Sequence, residues 1–392
     1  MTVTVEAPTE WGALHGIQSF AQLVQLTKGD AHDFFNTSTP AYLLQLWPPA
    51  VIADSPRTAW RGLMVDTSRH FLSVPTLTNT IEAMAMSKMN TLHWHIVDGD
   101  GWPLCINATK RVCEQQAYAD LASGTVAAYT AADLEYVVAF AHARGVRVVP
   151  EFDLPGHIQG PLCAAEPQLC IHGCAPDPSN EQWWVYLHQV VAELGTIFPD
   201  NFFHGGGDEF RPDCWFGSQR LKTWAASRNM STPTKLLDYF QVRWQKTLLN
   251  ANKRPMFWDE FFWTYGSATP ARTALTVLPG TTASLRGVTG DAGNLIKTEY
   301  AGDLQEWELS LRAGIPSITT GISEMWYLDR VGKVCGDQPG GVDPRVSSGH
   351  SYFWQTWETY HDHDPFAPLS EEVMVGENTR SPPKQQSPGQ LT

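Results

Sequence analysis

Five short apolar runs between Arg61 and Glu260 each end in an acid: "RGLMVD" at Asp66, "TLHWHIVD" at Asp98, "VRVVPEFD" at Asp153, "FFHGGGDE" at Glu209 and "PMFWDE" at Glu260. Weaker runs follow at "ALTVL" (Ala274 to Leu278), "SITTGIS" (Ser317 to Ser323) and "VMVGE" (Val373 to Glu377). Helical patterns separate them. The clearest is Thr130 to Arg144, which Thr130 caps and Gly145 stops. Leu77 to Met89, Asn180 to Leu194, Thr234 to Asn250 and Gly302 to Ala313 read the same way. Alternating strands and helices predict a mostly parallel sheet, and eight strand candidates predict an α/β fold of the (β/α)8 TIM-barrel type. In such barrels the C-terminal strand ends form the active face. One acid at a strand end is usually a helix cap; five in series beside Trp and His call for another account.

The 392 residues suffice for one large barrel or two average domains, and 43% hydrophobic with 17% charged residues is ordinary globular composition. A net charge of -14 argues against a nucleic-acid partner, because phosphate contacts need clustered Lys and Arg. No apolar run is long enough to span a membrane, and "MTVTVEAPTEW" does not read as a signal peptide. Asn36, Asn107 and Asn229 head glycosylation triplets. Cys105 and Cys113 form a close pair, while Cys163, Cys170, Cys174 and Cys214 bracket one segment. In a secreted chain these would be disulfides with Cys335 left over, and in the cytosol buried thiols. The 16 Trp serve either cores or ligand pockets, with core filling the default for any one of them.

Residues 1–57 fall outside the barrel pattern. "WGALHGIQSFAQLVQL" reads as one amphipathic helix, a remnant of a preceding domain, with a Pro-rich linker behind it. The barrel is expected over 58–377, and 378–392 has the composition of a disordered tail.

"FFHGGGDEF" puts three glycines in a strand candidate and two acids at its end. Glycine there signals close approach by another backbone or a ligand. Asp208 and Glu209 at the exit either address two points of one ligand, or form a turn in which Asp208 caps a helix. The stretch alone leaves both open.

"RGLMVDTSRHF", "HWHIVDGDGWPL", "EFDLPGH", "HGGGDEF", "FWDE" and "MWYLDR" occur in this order. Together they resemble the family 20 glycoside hydrolases, the β-N-acetylhexosaminidases of lysosomal type, from about Trp11 to Glu377. The resemblance implies a (β/α)8 barrel that removes terminal β-linked N-acetylhexosamine with retention, the substrate's acetamido oxygen being the nucleophile. It implies no cofactor and no metal. Glu209 matches the general acid/base, and Asp208 the acid that orients the acetamido N–H. Tyr327 matches the donor to the acetamido oxygen, and Trp258 and Trp326 match walls of the acetamido pocket. Arg69 and Asp329 match hydroxyl partners, and Asp98 with His157 a support pair for the acid/base. N-acetylhexosamine-terminated glycans, glycolipids or chitooligosaccharides are the implied partners. A homodimer and a lysosomal or secreted setting are likewise implied.

The sequence departs from the family in two places. A Trp-x-Glu motif and a last helix are expected past the last strand, where "VGENTRSPP" stands instead. Leu278 occupies what reads as a tryptophan position on the sixth strand. The expectation is a chain shortened at both ends. Two alternatives follow: a barrel fragment without activity, and a metal-dependent amidohydrolase using His93, His95, Asp98 and His157.

Overall fold

The computed structural model describes residues 3–23, 25–26, 44–45, 51–56, 59–119, 126–171, 175–210, 212–258, 261, 263–266, 269–287 and 317–322. Seven strands form its main sheet: β1 (Gly62–Asp66), β2 (Thr91–Val97), β3 (Arg147–Phe152), β4 (Phe202–His204), β5 (Arg254–Trp258), β6 (Thr282–Gly287) and β7 (Ser317–Ile322). They lie in chain order, each beside its predecessor. Pairing from β3 to β7 is parallel. Helices α2 (Val74–Met86), α3 (Ala131–His142), α4 (Glu181–Ile197) and α5 (Pro233–Asn250) fill the first four crossovers, and α1 (Glu10–Leu23) precedes them. Parallel strands in chain order joined by helices are the arrangement of the TIM-type α/β fold.

The sequence explains the helix starts. Ser73, Thr130, Asn180 and Thr232 each accept a backbone N–H in the first turn. Thr130 and Asp133 complete a reciprocal capping box. Gly145, with φ +73°, ends the α3 segment in a conformation that disfavours a side chain. The N-terminal helix stops at Leu23, short of the expected Leu26, and Gln25–Leu26 pairs with Leu44–Gln45.

Two compact units make up the chain: residues 1–65, 72–94 and 130–149, and the described parts of 66–71, 95–129 and 150–392. In the first, Leu77, Ile81 and Met84 of α2 and Leu134, Val137 and Ala141 of α3 are buried. Trp11 of α1 lies edge-on to His142, ring centroids 5.3 Å apart, and covers Gly145. In the second, α4 and α5 meet through Trp184 and Phe240, whose ring centroids are 5.1 Å apart. Arg243 lies 4.2 Å above the Trp184 ring and grips both oxygens of Glu181. Trp102, Trp183, Trp215 and Trp244 are fully buried there, so the tryptophan excess feeds the core first. Disulfides join Cys105 to Cys113 and Cys163 to Cys170.

Two sequence expectations need correction. The sixth strand is Thr282–Gly287, and 275–278 is coil. Side chains of α5 claim that backbone instead: Asp238 accepts from Thr276 N–H, and Gln245 from Leu278 N–H. Leu278 therefore does not sit on the sixth strand. The fourth strand ends at His204, before the glycines. The candidates Gly302 to Ala313 and Val373 to Glu377, and the tail, lie outside the described residues.

Candidate active site

All three glycines after β4 are required by neighbours. A Cβ on Gly205 would meet Trp244 Nε1 at 2.6 Å, and one on Gly207 would meet Phe261 Cβ at 2.8 Å. On Gly206 it would overlap the Asp153 carboxylate and Cα. Gly206 and Gly207 also have φ of +69° and +105°. Most of the backbone here is hydrogen-bonded. Gly205 N–H donates to Met256 O at 2.7 Å, Gly205 O accepts from Leu154 N–H and Trp244 Nε1–H, and Gly207 N–H donates to Asp153 Oδ1 at 2.8 Å. Close approach by protein, not only by a ligand, is the reason for the triplet.

This turn sets the two acids apart. Asp208 is buried, with a side chain 3% exposed, whereas Glu209 is 65% exposed. Glu209 has φ +52°, an unusual left-handed conformation for a residue with a Cβ. No helix begins at Asp208; the next starts at Asp213, so the cap alternative for Asp208 is not what forms.

Both acids converge on His157. Its Nε2 is 3.3 Å from Glu209 Oε2 and 3.7 Å from Asp208 Oδ2, while Nδ1 is 3.2 Å from Asp98 Oδ1. Asp98 in turn binds Arg69 Nη2 and His95 Nε2 through Oδ2, each at 2.8 Å. Arg69 is fixed from its other side by Asp66. Asp66 Oδ2 takes Nη1 at 2.8 Å, while Oδ1 accepts the Ser68 and Arg69 backbone N–H groups. Arg69, Asp98, His157, Asp208 and Glu209 thus form one contiguous network past the C-terminal ends of β1 to β4. Trp258 reaches it through Glu151, whose Oε1 accepts the indole N–H at 2.8 Å. Trp326, Tyr327 and Asp329 lie outside the described residues.

The electrostatics follow from burial and pairing. Burial alone would lower the His157 pKa, yet the charges of Asp153 and Asp208 and hydrogen bonds to Asp98 and Glu209 raise it far above the ordinary range. Burial would raise Asp98, but hydrogen bonds from His157 and His95 hold it well below the usual carboxylate range. Asp153 goes the other way: burial, then the adjacent Asp208 charge, push it well up. Burial and the neighbouring Asp208 charge thus make Asp153 the more reluctant of these acids to ionise.

The pH consequence is testable. A lowered Asp98 contributes stability above about pH 3.9 that is lost as pH falls below it. A raised Asp153 contributes stability that erodes as pH rises past about 3.9, and raised His95 and His157 add to the loss above about 6.5. The cluster's contribution is expected to peak near pH 4 and fall more steeply above about 6.5. Urea unfolding from pH 4 to 8 checks this: His157→Gln should flatten the steep limb, and an unchanged slope would contradict it.

Sequence reasoning gave Glu151 no role, counted Asp153 only among the strand-end acids, and offered His95 only as a ligand in the metal alternative. Part of the signal was present, because "EFD" places Glu151 and Asp153 on one side of a strand by two-residue alternation.

A family model described as "Glycosyl hydrolase family 20, catalytic domain" matches residues 59–376. The chain belongs to glycosyl hydrolase family 20. Among its relatives, Beta-hexosaminidase 1 of Arabidopsis thaliana is 34% identical over 278 residues, 69% of this chain and 48% of that protein. Beta-hexosaminidase subunit beta of Mus musculus is 32% identical over 66% of this chain and 47% of its own length. The chain thus spans about half the length of these two curated relatives. Among solved structures, a β-N-acetylhexosaminidase aligns with TM-score 0.68 and 25% identity over 93% of this chain and 71% of that one. A Vibrio harveyi exo-β-N-acetylglucosaminidase, 21% identical, shares the fold with TM-score 0.69 over 95% and 55% of the two chains. In this family 20 chain, no helix among the described residues is long and apolar enough to cross a membrane.

Proposed function

We propose that this family 20 chain hydrolyses terminal, non-reducing β-linked N-acetylhexosamine with retention, and that the substrate's acetamido group is the nucleophile. The observation that carries this is the unequal acid pair: a buried Asp208 and an exposed Glu209, both facing one His157. The acetamido oxygen attacks the anomeric carbon as the glycosidic bond breaks, and the leaving oxygen takes a proton from Glu209. An oxazolinium forms. Asp208 accepts the acetamido N–H and offsets the charge that grows there. Water then adds to the anomeric carbon, its proton passes to Glu209, and the oxazolinium ring opens. On the same reading Trp258 and Trp326 are assigned to the walls of the acetamido pocket, Tyr327 to the hydrogen bond to the acetamido oxygen, and Arg69 and Asp329 to sugar hydroxyls. Glycans, glycolipids and chitooligosaccharides that end in N-acetylhexosamine are the substrate class. A homodimer and a lysosomal or secreted setting go with the same reading.

The test is hydrolysis of a chromogenic N-acetyl-β-glucosaminide beside the matching β-glucoside. Cleavage of the first alone is expected; equal cleavage of both would exclude the acetamido nucleophile.

The metal reading is disfavoured by proton occupancy. Ligand atoms of His157, Asp208 and Glu209 lie within 4.8 Å of one another, close enough for an ion. A metal-bound imidazole must give up a proton, and the four acids around His157 favour keeping it. Both nitrogens of His95 already face carboxylates. Unchanged activity in excess chelator is the expected result.

A further inference from the structure

We propose that Glu151 is a positioning residue of this site, joining the wall of the acetamido pocket to the acid/base network through a doubly protonated His95. The proposal rests on the hexosaminidase reading above.

Glu151 sits in β3, one strand from β4, with its side chain fully buried. Its two oxygens do different work. Oε1 accepts the Trp258 indole N–H at 2.8 Å and lies 3.1 Å from His204 Nδ1. Oε2 lies 2.7 Å from His95 Nδ1, and the other nitrogen of His95 lies 2.8 Å from Asp98 Oδ2. An imidazole between two carboxylates satisfies both only by donating from both nitrogens, so it is held as the cation. Arg69 Nη1, 3.5 Å from His95 Nε2, then meets it donor to donor. Asp98 keeps its hydrogen-bonding edge for Arg69 and His157. One buried carboxylate thereby fixes the Trp258 ring on one side and, three contacts away through His95 and Asp98, the orientation of His157 against Glu209. The His204 ring packs on Trp258 with centroids 4.6 Å apart, which closes the remaining freedom of the indole. Burying a carboxylate is costly, and apolar residues of similar volume often replace buried ionic groups without loss of stability. Its use here is geometric.

The two arms separate by substitution. In Glu151→Gln, the amide oxygen still accepts from Trp258, but the NH2 now faces His95 Nδ1, and the imidazole must release that proton. KM is expected within about twofold of wild type, while kcat falls about tenfold to a hundredfold. Trp258→Phe keeps an aromatic face and removes the N–H; KM should rise about threefold to tenfold with the smaller change in kcat. Glu151→Ala should show both defects. Nitrogen-15 shifts of the His95 imidazole, read on labelled wild-type protein, are expected to show both nitrogens protonated, and on Glu151→Gln only Nε2. This measurement needs no turnover, and the near-isosteric Gln variant serves if the Ala variant does not fold. A wild-type chain inert on the N-acetylglucosaminide sinks the hexosaminidase reading instead. An active chain whose folded Glu151→Gln matches wild type in kcat and KM, or a wild-type His95 with one bare nitrogen, overturns the role of Glu151.

Discussion

Asp208→Asn is expected to cut kcat about a hundredfold to a thousandfold on every N-acetylglucosaminide, whatever the leaving group. The buried carboxylate stands where positive charge would develop on the acetamido nitrogen, and an amide supplies neither the charge nor a reliable acceptor. Burial and the Asp208 charge push the neighbouring Asp153 up, so Asp153 is poorly suited to replace the lost carboxylate. Glu209→Gln is expected to behave differently: severe loss on alkyl glycosides, which need a proton, and a smaller loss on nitrophenyl glycosides, which do not. Steady-state rates on the two substrate types separate the roles. An Asp208→Asn variant with native kcat on either would remove that residue from the mechanism.

Gly206→Ala is expected to destabilise the fold by about 2–5 kcal/mol, from left-handed backbone strain together with overpacking. The added methyl would overlap the Asp153 carboxylate and backbone, and neither can withdraw. Asp153 Oδ1 is tied to Gly207 N–H, and its neighbour Leu154 to Gly205 O. Gly195 is the control. It lies inside α4, its Cβ would meet Lys253 Cε at an ordinary 3.6 Å, and alanine there should stabilise by up to about 1 kcal/mol. Urea midpoints of the two variants measure the contrast. Equal midpoints would show that the turn relaxes at little cost.

Strands with continuous apolar runs were legible to within a residue or two, as "TLHWHIV" shows, because both faces of such a strand are buried and the run cannot be mistaken for a surface helix. Helix starts were legible where a cap residue marks them. The sixth strand was not. "ALTVL" is the more apolar run, yet "TASLRG" pairs with β5, because hydrogen bonds from α5 to Thr276 and Leu278 hold the earlier segment out of the ladder. Propensity loses there to a tertiary contact that no local pattern announces. The site shows the same division. Asp208 and Glu209 announce themselves by position, but their different burial comes from the turn at Gly206 and Gly207. Glu151 looked like one more apolar-strand residue, since its partners at Trp258 and His204 lie far along the chain.

The imidazolium at His157 has a consequence for turnover. Hemmed in by Asp98, Asp153 and Asp208, it holds its protons too firmly to lend one. On the proposed mechanism Glu209 gives its proton to the leaving oxygen and regains one from the water that adds to the anomeric carbon, and 65% of its side chain faces the solvent that supplies that water. The proton thus circulates between leaving group, water and one carboxyl, and small acids added to the buffer are expected to leave the rate unchanged.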